Sequence, residues 1–257
     1  MTNRSLIRSL ASREIQKTYK GSYLGFFWLF VQPIAMLCVY GFVFGFVLQA
    51  RFGIEQESEL SYALTLFAGL LCFQVFSECL TRSPTLITSH VNYVKKIVFP
   101  VELLAIAILA SALFRAVLSF GIWMVFFVSV YGAPHTTIFY APLVFIPLCA
   151  FSIGVAWIFS ALGVYIRDLS QLVGVLSTAT LFLSAIFYPL SLIPEKYLYL
   201  MYFNPMTSIV ELLRTVAIRG EHLPLTEYTL LTGISILFMC FGFWLFQSLR
   251  RGFSDVL

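Results

Sequence analysis

The sequence predicts an all-α polytopic membrane protein of six transmembrane helices, with both termini cytoplasmic. Three observations lead there. Of 257 residues, 60% are apolar and 11% are charged, with a mean hydropathy of +0.92. A soluble domain is about 45–50% apolar and about 25% charged, so a soluble fold is excluded, and the sparse charge excludes disorder. The apolar residues form long continuous runs, not the short alternating segments of an outer-membrane barrel. Lys and Arg are unevenly shared among the segments between the runs, which orients the chain.

The runs fall at about 26–49, 62–81, 101–130, 139–165, 172–190 and 228–248. Each is near or above the roughly 20 residues that cross a bilayer. The third and fourth are longer, so tilt is expected. With the N-terminus inside, eleven of the sixteen basic residues lie on the cytoplasmic side. Arg51, Lys196, Arg214 and Arg219 fall outside, with seven of the twelve acids. The net charge of +4 is therefore a topology signal, and nucleic acid is not an expected partner. The first run is long enough to span and no small-residue cleavage site follows it, so it reads as retained.

The segments that do not span are expected to carry the function. Residues 4–20 hold five basic residues and one acid, with Leu6, Ile7, Leu10 and Ile15 between them. They fit an interfacial helix on the inner leaflet or an ordinary basic flank. Leu6 and Leu10 blur its apolar face. Residues 82–100 have room for a cytoplasmic helix of three turns, either a handle for a soluble partner or a plain connector. Residues 191–227 are broken by Pro194, Pro205 and Pro224, with Pro189 just before them. The apolar stretches 197–203 and 206–218 are too short to span, as in re-entrant or interfacial helices.

Glu78 and Arg82 are four residues apart and are expected to pair. Arg115 lies about 14 residues into the third run, roughly 20 Å above its inner end. Glu78 lies only about 6 Å above the inner end of its own run, so the two are not expected to meet. Arg115 must face protein or water, because an unpaired charge in lipid is costly. Phe187, Tyr188, Tyr197, Tyr199, Tyr202 and Phe203 gather near the outer broken segment. Aromatic faces of this kind can carry sugar rings by apolar stacking, or can simply belong to the interfacial belt. The five cysteines all lie in apolar runs without a C-x-x-C pair, so they read as packing residues and no metal is expected.

No G-x-x-x-x-G-K-[ST] is present, and no Gly precedes a Lys. The chain therefore lacks a P-loop, and no catalytic motif marks it as an enzyme.

An ordered set of short motifs carries a resemblance. These are Arg13-Glu14-Ile15, Tyr19-Lys20-Gly21-Ser22, Leu24-Gly25, Trp28 and Gln32-Pro33. Further along come Phe99-Pro100, Arg167-Asp168-Leu169, Tyr188-Pro189, Ile193-Pro194, Asn204-Pro205 and Arg214. Together they resemble the membrane subunits of ABC-type polysaccharide exporters, which move lipid-linked O-antigen, capsule or teichoic-acid chains. The resemblance implies a bacterial inner-membrane homodimer with two ATP-binding cassette subunits, which would hold ATP and Mg. It implies a substrate entrance near Arg13, Tyr19, Lys20 and Trp28, where basic residues would meet a pyrophosphate. It also implies a coupling helix at 83–97 and outer gate helices at 191–220. Gly25, Pro33, Pro100, Arg167, Asp168, Asn204, Pro205 and Arg214 would be structural. O-antigen is the favoured glycan. The alternatives are a permease of another ABC exporter for a drug or lipid, or an ion-coupled transporter or channel.

Overall fold

A computed structural model describes residues 3–19, 23, 25–47, 59–91 and 99–256. Among them all regular structure is helical. The main helices are α1 (Asn3–Tyr19), α2 (Trp28–Tyr40), α3 (Glu59–Arg82), α4 (Leu103–Tyr131) and α5 (Ala141–Tyr165). They continue with α6 (Leu169–Leu183), α7 (Glu195–Phe203), α8 (Pro205–Arg214), α9 (Leu225–Arg250) and α10 (Phe253–Val256). Five helical stretches are long and apolar enough to cross a membrane: Gly25–Phe44, Leu60–Arg82, Leu103–Tyr131, Thr136–Tyr165 and Leu225–Arg250.

The first run is not one regular helix. A 3-10 turn, Gly25–Phe27, leads into α2, and a π-helical stretch, Gly41–Val47, follows it. Pro33 sits inside α2 and is buried. A spanning helix tolerates such a break because neighbouring groups can satisfy the freed backbone.

α3 is the central post. It packs against α4, α5 and α8, and most of its residues from Ser61 to Leu80 are buried. α4 and α5 complete the core, in which Trp123 and Phe127 are among the largest fully buried side chains. A buried indole N–H needs an acceptor. Trp123 donates to the Leu64 carbonyl at 2.9 Å, and Trp157 to the Glu102 carbonyl at 3.1 Å.

α9 lies along α5. Two glycines allow the close approach. A Cβ on Gly242 would stand 2.5 Å from the Gly154 carbonyl oxygen, and one on Gly154 would stand 2.9 Å from the Phe238 ring. Lipid tails are as apolar as the helix surfaces, so close backbone packing carries this association.

The fifth apolar run departs from the expected span over 172–190. α6 ends at Leu183, and the chain then leaves helical geometry. Ala185 has φ of 51°, a left-handed conformation that costs an L-residue about 1–3 kcal/mol. Hydropathy does not register this break, because the apolar run continues through it and the nearest proline, Pro189, comes six residues after Leu183. The outer proline-broken segment forms two short helices, α7 and α8, as its two apolar stretches suggest.

α1 corrects the sequence reading in one respect. Leu10 is buried, while Leu6 and Ile7 pack against the core. Leu6 and Leu10 therefore do not spoil the apolar face; they are part of the face that docks on α4. Arg8, Ser9, Ser12, Arg13 and Gln16 stay exposed.

Replacing Gly242 with Val should force α9 away from α5. Overpacking of this kind costs about 1–3 kcal/mol. The expected result is a lower unfolding temperature in detergent, with Gly233→Val, where a Cβ meets nothing, as the unaffected control.

Candidate functional site

Two polar assemblies inside the bundle, and one cavity between helices, define the site. The first assembly surrounds the break after α6. Carbonyls released from a helix at membrane depth have no water to bind and must be met by protein. The Arg214 side chain meets two of them and ties them to α3. Its guanidinium donates to the Ala185 carbonyl at 2.8 Å, the Ile186 carbonyl at 2.7 Å and the Thr65 carbonyl at 3.3 Å. It also pairs with Glu211 at 2.9 Å.

Arg214 is only 1% exposed. The sequence placed it among the outer loop charges; instead it sits in the interior as a structural clamp. Gly69 gives it room, since a Cβ there would stand 3.2 Å from Nη2.

The remaining carbonyls of the break are met from other helices. The Tyr62 hydroxyl donates to the Phe187 carbonyl at 2.7 Å. Asn204 Nδ2 donates to the Leu183 carbonyl and to Ser184 Oγ, and the Thr207 hydroxyl also donates to Leu183. Asn204 Oδ1 meanwhile accepts from the Met206 N–H and so caps α8, with Pro205 at its first position. One asparagine thus ties the end of α6 to the start of α8.

The second assembly is a chain of four charges. Glu14 of α1 pairs with Arg82 of α3, Arg82 with Glu78 at 2.8 Å, and Glu78 with Arg115 of α4. The Glu78–Arg82 pair was expected; the Glu78–Arg115 pair was not. The expectation assumed that both helices start at one depth. In fact Leu86, four residues beyond the end of α3, lines the same small cavity as Leu104 and Ala107 near the start of α4. Glu78 is eight residues above Leu86, and Arg115 is eight above Ala107, so the stagger brings them level.

The third element is a cavity of about 500 Å3 between α2, α3, α4 and α6. Leu29, Pro33 and Phe67 form part of its apolar wall, and Gln32, Gln74, Glu78, Arg82, Arg115 and Ser119 part of its polar wall. Ser77 and Ser177 bridge α3 to α6 beside it at 2.8 Å. A larger groove of about 920 Å3 between α4, α5 and α9 is almost wholly apolar.

The other sequence-selected residues divide into three groups. Phe187 stacks on Phe44 at 5.7 Å and packs against Phe182, while the Tyr188 hydroxyl donates to the Phe182 carbonyl. Tyr197, Tyr199, Tyr202 and Phe203 are exposed on α7, so the six aromatics form an inner pair and an outer surface. Arg13 lines the small cavity with Glu14 and His90, and Trp28 is exposed at the start of α2.

Gly25 opens the first 3-10 turn at φ of 50°. Pro100 precedes α4, and Arg167 and Asp168 are exposed before α6. Lys20, the Tyr19 side chain and residues 92–97 of the expected coupling segment lie outside the described residues. Residues 83–90 form turns and a short 3-10 helix, Thr88–His90.

Sequence reasoning missed Glu14, Tyr62, Gln74 and Thr207. Only Glu14 carried a signal, as the single acid in a basic segment.

The all-helical bundle, with its intramembrane charges and proline-broken outer segment, belongs to a family of membrane transport subunits. The ABC-2 type transporter family matches residues 5–218, and the chain is a member of that family. It is a multi-pass membrane protein with several spanning helices. It is 28% identical to the O-antigen export system permease protein RfbA of Myxococcus xanthus, over 98% of this chain and 95% of the relative. It is 25% identical to the protein of the same name from Klebsiella pneumoniae, with the same coverage. The polysialic acid transport protein KpsM of Escherichia coli is 25% identical over 83% of this chain and 81% of its own.

Arg214→Leu should leave several buried carbonyls without donors, at about 1–3 kcal/mol each. A thermal shift in detergent should report a large loss, and Arg214→Lys, which keeps charge without the planar fork, should fall between the two. A double-mutant cycle of Glu78→Gln and Arg115→Gln should give a coupling of about 1–2 kcal/mol. A coupling near zero would dismiss the pair as a stabilising contact.

Proposed function

We propose that this chain is the transmembrane subunit of an ATP-driven exporter that moves a lipid-linked polysaccharide, O-antigen first among the glycans, across the bacterial inner membrane. The observation that carries the reading is the near full-length match to two O-antigen export permeases, against a shorter match to a polysialic acid transporter. ATP and Mg belong to two cassette subunits on the cytoplasmic face, since no P-loop occurs in this sequence. The permease works as a homodimer of six-span protomers with both termini inside. The span between α5 and α9, fifth in chain order, is α6 together with the non-helical segment after it.

The parts divide the work. α1 lies at the inner leaflet with Arg13 exposed, and forms the substrate entrance with Tyr19, Lys20 and Trp28. Ionised donors make short, strong hydrogen bonds to phosphate oxygens, which suits a pyrophosphate head. The 83–97 segment receives the cassette's motion. The Glu14–Arg82–Glu78–Arg115 chain supports coupling from α1 to α3 and α4. α7 and α8 form the outer gate, with α8 fixed through Arg214 and Asn204 while the aromatics of α7 stay exposed.

In a host lacking its own O-antigen permease, this chain with its cassette subunit should restore surface glycan. Removing residues 3–19 should abolish export while membrane insertion persists. Normal surface glycan in that variant would refute the entrance role of α1. Purification without any bound ATPase, under conditions that preserve complexes, would count against the exporter reading itself.

A further inference from the structure

The export reading gives the cassette's motion to the chain between α3 and α4. Both ends of that chain are held by helices to which it is not joined. α3 ends at Arg82, and Ser83 and Pro84 just beyond it are buried. Gly163, near the C-terminal end of α5, backs directly on Pro84: a Cβ there would overlap the Pro84 carbonyl oxygen. At the other end, Glu102 stands immediately before α4. Its carbonyl accepts from the Trp157 indole of α5 at 3.1 Å, and its carboxylate pairs with Arg250, the last residue of α9, at 2.9 Å. Arg250 Nη2 also donates to the Phe99 carbonyl at 3.5 Å.

The two helices that hold these ends are themselves joined. Their backbones meet at Gly154 and Gly242, and Trp157 packs on Phe243 with ring centroids 5.0 Å apart. The Tyr165 hydroxyl donates to the Leu249 carbonyl at 2.8 Å, one residue before Arg250. Phe253, beyond the end of α9, is buried against Tyr165 and Phe246. A displacement of the chain between α3 and α4 therefore has two routes. One is covalent, into α3 and α4 themselves. The other is by contact, into the α5–α9 pair.

The contacts are not equivalent. Close-packed interiors have low compressibility and transmit strain, so Pro84 can push Gly163. Packing resists a pull far less, because each dispersion contact is individually small. A pull needs an attractive, directional link, and Arg250 supplies one to Glu102 and Phe99 together. The two side chains of that pair are 36% and 21% exposed. Ion pairs this open to solvent add little to stability. The link can therefore be removed while the bundle stands.

We infer that Arg250 is a positioning residue for transport: by gripping Glu102 and the Phe99 carbonyl, it makes α9, and α5 with it, follow the chain between α3 and α4 when the ATPase moves that chain. The inference rests on the export reading above and names a residue through which ATP-driven motion reaches helices outside the moving segment.

The test uses the full chain, co-purified with its ATPase and reconstituted in proteoliposomes with lipid-linked O-antigen from the host used for complementation. ATP hydrolysis and glycan delivered are measured on the same vesicles, and their ratio is the readout. Arg250→Gln should lower glycan delivered per ATP about fivefold, the weight of a partly exposed ion pair. ATPase binding, the hydrolysis rate and the thermal midpoint should stay unchanged. Glu102→Gln should match it, and the two together should be no worse than either alone, because both remove one link. Arg250→Lys, which keeps the charge without the planar fork, should fall between wild type and Arg250→Gln. Exchanging the charges, with Arg250→Glu and Glu102→Arg in one chain, should recover export per ATP at least in part. Unchanged export per ATP in Arg250→Gln would overturn the inference. So would an equal fall in hydrolysis and export, which is the mark of a merely structural role, or a charge exchange that recovers nothing. The exporter reading fails separately, on wild-type transfer that needs neither the ATPase nor ATP.

Discussion

The structure depends on one constraint: backbone carbonyls released inside a membrane protein must find donors in the protein itself. The chain leaves helix after Leu183, with Ala185 in a left-handed conformation, and has to satisfy Leu183, Ala185, Ile186 and Phe187. The donors come from α3, α8 and the cap of α8. Arg214 serves two of the four, because five N–H groups on a planar fork can serve several carbonyls at once. The same contacts that make the break affordable also fix α8 against α3. α8 is therefore built into the bundle rather than resting on it.

A second polar assembly does comparable work on another side of α3. Glu14, Arg82, Glu78 and Arg115 join α1 to the two core helices α3 and α4. A charge within an apolar helix is tolerated when it faces the bundle interior and pairs there. Arg115 meets this requirement through Nη2, which pairs with Glu78 and reaches Ser111 Oγ. α3 thus receives the clamp near Thr65 and the charge chain near Glu78, some thirteen residues or about 20 Å apart along one helix.

Much of the bundle was legible in the sequence. The runs at 62–81 and 228–248 became Glu59–Arg82 and Leu225–Arg250, because length and apolarity suffice to mark a helix that spans. Pro194, Pro205 and Pro224 likewise marked the outer broken segment, since proline ends helices by its own chemistry. What escaped was set by tertiary contact. The break after Leu183 carries no local signature; it exists because Arg214, Tyr62 and Asn204 reach it from elsewhere. The Glu78–Arg115 pair escaped because helical rise gives depth along each helix and not the stagger between two. Leu6 and Leu10 looked like noise on an amphipathic face until the surface they dock on was known.

The account's central claim is that this bundle is a passive conduit driven by a separate ATPase. Reconstitution in proteoliposomes tests it most directly, with a lipid-linked glycan in one leaflet and a lectin reporting its arrival on the other side. The account predicts transfer only when the chain, its cassette subunit and ATP are all present. Transfer by the chain alone, or transfer driven by an ion gradient without ATP, would contradict it.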